Sequence, residues 1–127
     1  MDVLMRFGFT IDEIKCMMDT NNSIDEVNDK DIHELINILE KMNCDRDTIK
    51  NIFICNPFYL TRNVNEVNNL IKKLYELGFS NLNLLFDTNP YILSMSDDSI
   101  DKVYCKMFHE GLEKDEIIDY ISYNIIY

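Results

Sequence analysis

A turn signal recurs along the 127-residue chain at nearly constant spacing. It reads Gly8-Phe9, Asn43-Cys44, Gly78-Phe79 and Gly111-Leu112, and the second members of these pairs lie 35, 35 and 33 residues apart. A period of this size marks stacked helical hairpins, because one hairpin cannot bury its apolar face alone and must lean on the next. Gly takes the left-handed backbone that a helix C-terminus needs, and Asn is the next-best residue there. The expected fold is all-α, a short solenoid of stacked helical hairpins with about three repeats of 33–35 residues. The expected divisions of this single helical-repeat domain are a partial repeat 1–8, repeats 9–43, 44–78 and 79–111, and a terminal half-repeat 112–127.

Within each unit the pattern predicts a short helix, a breaker and a longer helix. The short helices are expected to begin after Thr10, Asp45, Ser80 and Glu113. The first three are good N-caps, since a side-chain oxygen there accepts from the free N–H groups of the first turn. Thr10 with Glu13 fits the reciprocal capping box. The apolar sets Ile14, Met17 and Met18; Ile49, Ile52 and Phe53; Leu82, Leu85 and Phe86; and Ile117, Tyr120 and Ile121 each keep one helix face apolar. In the longer helices Ile32, Leu35, Ile36 and Leu39 align with Val67, Leu70, Ile71 and Leu74, and these with Ile100, Val103, Tyr104 and Met107. Asn28, Asn63 and Ser96 stand where those helices should start.

The breakers read Asn-Pro-Phe-Tyr-Leu at 56–60 and Asn-Pro-Tyr-Ile-Leu at 89–93, with Asn-Asn-Ser-Ile at 21–24 in the first unit. Pro donates no backbone N–H and drives the preceding residue out of helical geometry, so the short helix must end there. Gly8, Pro57, Leu60, Gly78, Pro90, Leu93 and Gly111 are thus the positions that define the repeat. Leu-Gly-Phe at 77–79 followed by a short helix, the P-x-x-L of Pro90–Leu93 and a longer helix resembles the mitochondrial transcription termination factor (mTERF) family. Residues 57–60 repeat the P-x-x-L element. The resemblance covers about two and a half units. It implies a right- or left-curving solenoid whose concave face binds nucleic acid in a transcription-related role.

Charge points elsewhere. The formal net charge is −11. Residues 1–43 carry −6, residues 44–78 carry +1 and residues 79–127 carry −6, so a polyanion is repelled by both ends and tolerated only in the middle. Candidate nucleic-acid contacts are Arg46, Lys50, Arg62, Lys72, Lys73 and Lys106, with solvated helix faces as the plain alternative. The favoured expectation is a non-catalytic binding module for a protein partner, the acidic ends speeding encounter with a basic surface. Nucleic-acid binding through the middle repeat is the alternative, disfavoured by the charge. A self-assembling structural protein is the third, suggested by the apolar stretch 117–127. There Ile117, Ile118, Ile121, Ile125, Ile126 and Tyr127 are candidates for a partner or homo-oligomer face. Phe58, Tyr59, Tyr75 and Tyr91 are further candidates for a binding face or for filling the layer between hairpins.

The remaining motifs are weak. Cys105 and His109 are one helical turn apart, but two ligands fall short of the four that structural zinc takes. Asp97, Asp98 and Asp101 sit at a helix start, where the dipole favours negative charge. No phosphate loop, nucleophile elbow or H-E-x-x-H pattern is found, and the expectation is no enzyme, no metal and no cofactor. The four cysteines form no C-x-x-C pair and read as reduced thiols. No apolar run reaches the roughly 18 residues of a membrane span. The start, Met1-Asp2 with Arg6 as an early cation, reads as neither signal nor transit peptide. Missing Ala, Gln and Trp, with abundant Asn and Ile, suggest an AT-rich genome. A cytoplasmic location without membrane association is the corresponding expectation.

Overall fold

A computed structural model describes residues 2–124. It is all-helical, with eight α-helices, three 3-10 turns and no strand among the described residues. The α-helices are α1 (Asp2–Phe7), α2 (Ile11–Thr20), α3 (Asp29–Lys41), α4 (Arg46–Cys55), α5 (Val64–Leu77), α6 (Leu82–Thr88), α7 (Asp97–His109) and α8 (Lys114–Tyr123). The 3-10 turns are Asn22–Glu26, Pro57–Thr61 and Pro90–Ser94, each between a short helix and a longer one. Helices α1, α3, α5 and α7 pack in succession, as do α2, α4, α6 and α8, and the three turns touch one another in order.

The recurring turn pairs all close in the same way. Phe9, Cys44, Phe79 and Leu112 donate their backbone N–H to the carbonyls of Leu4, Leu39, Leu74 and Met107, at 3.0–3.2 Å. This is the five-residue reach of a Schellman C-cap, and it requires a left-handed residue just before the donor. Gly8, Gly78 and Gly111 supply it with φ of 121°, 105° and 99°, and Asn43 supplies it with φ 65°. A Cβ at Gly78 would meet only the flexible end of the Lys114 side chain, which can swing aside, so the left-handed φ is what calls for glycine there.

The expected apolar columns form the core. The sets from α3 and α5 are 0–7% exposed. On α7 only Ile100 is fully buried, while Val103, Tyr104 and Met107 are half-buried. Tyr120 also departs from its column and stands 47% exposed, while Ile117 and Ile121 on the same helix are 0%.

The caps follow the sequence closely, with one exception. Thr10 and Glu13 form the capping box: the Thr10 hydroxyl accepts from Glu13 N at 3.1 Å and Glu13 Oε1 accepts from Thr10 N at 2.9 Å. Asp45 Oδ1 accepts from Thr48 N at 2.8 Å. Asn28, Asn63 and Ser96 cap α3, α5 and α7. Ser80, however, is not a cap. Helix α6 starts at Leu82, its N-cap is Asn81, and the Asn81 side chain makes no cap bond. The cause is a shortfall of two residues: five positions separate Cys44 from the buried Ile49, but three separate Phe79 from its buried counterpart Leu82. Burial fixes Leu82 in register, so the first helical turn is lost.

Candidate binding surfaces

Three buried asparagines join the units to one another. Asn21, Asn56 and Asn89 are 7%, 3% and 5% exposed, and each occupies the position between a short helix and its 3-10 turn. Asn21 Nδ2 donates to the Pro57 carbonyl at 3.3 Å and the Thr61 hydroxyl at 3.1 Å, both in the next turn. Asn56 Nδ2 donates to the Pro90 carbonyl at 3.1 Å and the Ser94 hydroxyl at 2.8 Å. Asn89 Nδ2 donates to the carbonyls of Ile121 and Asn124 at 2.9 and 2.8 Å. A buried amide costs free energy unless bonded, and here each one is bonded across a unit boundary. In the sequence, Asn56 and Asn89 stand out only as the residues that Pro excludes from helix. The signal available was the repetition of Asn at 21, 56 and 89, in steps of 35 and 33.

Most of the candidate nucleic-acid contacts meet partners within the fold. Arg46 lies with its guanidinium 5.6 Å from the Phe7 ring centre. Lys50 sits 5.6 Å from the Phe9 ring centre and 3.3 Å from Glu13 Oε1. Arg62 spans two units: its Nη atoms donate to the Ser94 and Met95 carbonyls at 3.2 and 3.1 Å, at the end of the turn Pro90–Ser94. Its buried Nε has no partner among the described residues. Lys73 pairs with Glu76 at 3.2 Å. That bond holds its pKa above the usual lysine range, with the carboxylates of Asp101 and Asp97 adding to the effect. Lys72 and Lys106 are exposed, without an ion pair among the described residues. Four of the six cations are thus engaged by groups of the fold. For Lys50 and Arg62 a primary sequence cannot reveal this, because the Glu13 carboxylate and the Ser94 and Met95 carbonyls come from other units.

The aromatic candidates divide. Tyr59 is fully buried, and its hydroxyl donates to the Leu35 carbonyl at 2.7 Å. Burial pushes its pKa above the usual phenol range. Phe9, Phe53 and Tyr59 continue as a line of rings 5.6 Å apart through the core. Phe58 and Tyr91 are 51% and 44% exposed at matching positions of successive turns. With Pro57, Met95 and Arg62 they line an open groove of about 790 Å³. Tyr75 is 49% exposed and its hydroxyl reaches the Met42 sulfur at 3.3 Å.

At the C-terminal end Ile117 and Ile121 point into the core and Ile118 is half-buried, so the first two offer no surface to a partner. They alternate with the exposed Tyr120 and Tyr123 at helical spacing, which is why α8 reads as apolar on more than one side. Ile125, Ile126 and Tyr127 lie outside the described residues. Cys105 and His109 are both exposed, and no group of three or more metal-ligating side chains converges among the described residues. Cys16, Cys55 and Cys105 are exposed free thiols, while Cys44 is buried. Burial, then the Asp45 and Asp87 carboxylates, push the Cys44 thiol up to about 11, which keeps it protonated and unreactive at neutral pH. No helix among the described residues is long and apolar enough to cross a membrane.

Comparison with known families gives one match: the mTERF family model aligns with residues 1–123. No curated protein and no solved structure matches the chain significantly. The match spans nearly the whole sequence, and the chain therefore belongs to the mTERF family.

Proposed function

We propose that this chain is a non-catalytic binding module, a short solenoid of about three mTERF hairpins whose binding is nucleic-acid-related. The observation that carries this reading is the family match over residues 1–123, which leaves almost no part of the chain to another kind of domain. The stacked arrangement supports it, since side chains from successive units fall in rows on a shared surface. Of the six candidate cations, Lys72 on α5 and Lys106 on α7 are exposed and held by no ion pair or ring among the described residues, which leaves them available for phosphate contact.

The test is a titration with fluorescent single-stranded and duplex DNA and RNA at about 50 mM and about 200 mM salt. Binding should weaken steeply with salt, and Lys72→Glu with Lys106→Glu should weaken it on every sequence while flattening the salt dependence. Absence of binding to all four nucleic acids at the lower salt would sink the direct-contact reading.

A second reading, recognition of a protein partner, is favoured by charge. The chain carries −11, and Arg46, Lys50, Arg62 and Lys73 are already in contact with carboxylates, carbonyls or rings of the fold. A surface of this sign attracts basic partners and repels phosphate backbones.

A further inference from the structure

We propose that the recess between α6 and α8 docks a basic amphipathic segment of a protein partner. The inference deepens the protein-partner reading and rests on it. The recess exists because α6 is short. It has seven residues, where α2, α4 and α8 have ten, and the turn it lacks would begin near Ser80. The vacated space, about 280 Å³, is walled by Phe79, Leu84, Ile118 and Tyr123 and rimmed by Asp115 and Asp119.

Two features together define the occupant. Part of the wall, beside the polar Ser80, Asn81, Thr88 and Ser122, is apolar and uncovered: Leu84 is 55% exposed, Tyr123 is 70% exposed, and Ile118 is half-buried. Exposed apolar side chains next to a concavity are a docking surface for a complementary apolar group. The rim is negative. Asp115 and Asp119 are one turn apart on α8, both exposed and both facing the recess. Lys114, whose Cε and Nζ lie against Gly78, brings one positive charge to that end of the recess, against the two carboxylates of Asp115 and Asp119. The sequence from 79 onward carries −6, so the field around the recess has the same sign as its rim. A segment with one bulky apolar residue for the pocket and Lys or Arg one turn away fits both features, the helix-in-groove mode of recognition.

The experiment uses the full chain and a fluorescent helical peptide of alternating Leu and Lys faces, followed by anisotropy at low salt. Charge reversal at Asp115→Lys and Asp119→Lys should weaken binding by roughly tenfold or more. Leu84→Ser should weaken it without changing the salt dependence. All three side chains are exposed, so circular dichroism should match the parent chain and melting should fall by no more than a few degrees, the effect of losing the favourable Asp115 charge in the first turn of α8. The control is Glu34→Lys with Glu40→Lys on α3, which alters the same net charge far along the chain and should leave binding within about twofold. No binding to the parent chain overturns the recess. So does equal weakening by the control, which would mean attraction to overall charge. Either result leaves the wider protein-partner reading open to a screen with other peptides. A nucleic-acid titration of the same variants reports separately on the family-level reading.

Discussion

The three cross-unit asparagines give the clearest energetic handle at the scale of single residues. Replacing Asn56 with Ala removes two donors and leaves the buried Pro90 carbonyl without its partner. An unmet buried acceptor costs about 1–3 kcal/mol. Asn56→Ala should therefore lower the unfolding free energy by that amount, seen as a lower urea midpoint with an unchanged slope, while the exposed Asn65→Ala should be close to neutral. Equal effects of the two would mean that the cross-unit asparagine bonds contribute nothing. The apolar columns and the left-handed turns were legible in the sequence because both depend on local spacing. Leu35, Leu70 and Gly78 needed only their neighbours to be read. Asn56 and Arg62 were not legible in the same sense, because their partners lie 32 to 38 residues away, on atoms that come near only after the units stack.

Among the elements, the short helices are the ones whose limits depend on side chains. Glu13 and Asp45 both accept bonds at helix starts. The Thr10 N–H, with Lys50 nearby, holds the Glu13 carboxyl below its usual range, and the Thr48 N–H does the same for Asp45. A carboxyl whose folded pKa is depressed favours the native state above its ordinary pKa and loses that effect as pH falls through the folded value. The ordinary values are 4.5 and 3.8, so stability should decline from about pH 4.5 downward. Thermal melts at pH 7 and pH 3 should show the decline. Glu13→Ala should destabilise at pH 7 and less at pH 3, because the Glu13 carboxyl, which accepts from the Thr10 N–H, is then protonated and no longer the same acceptor. A cost that does not change with pH would argue against the capping box. Helix α6 shows where element reading fails. Ser80 is a good cap by type, but the burial of Leu82 decides where the helix begins, and that is a matter of packing between units.

For the whole molecule, the units can change length in some places and not in others. Two residues inserted between Ser80 and Leu82 would rebuild the missing first turn of α6. That variant should unfold cooperatively near the parent temperature. It should also fill the recess and lose peptide binding. Two residues inserted between Asn56 and Thr61 would move the Pro57 carbonyl and the Thr61 hydroxyl away from Asn21. With two bonds to a buried amide lost, that variant should be destabilised by roughly 2–4 kcal/mol, read by denaturant melts. Comparable stabilities for the two insertions would remove the distinction. The asparagine side chain is thus a ruler of fixed length laid between neighbouring turns. Wherever it reaches, spacing is held to the reach of one amide, and drift in length is confined to the stretch before it. A family built on such a ruler can vary its short helices, and with them the shape of its surface, without altering the pitch at which its units stack.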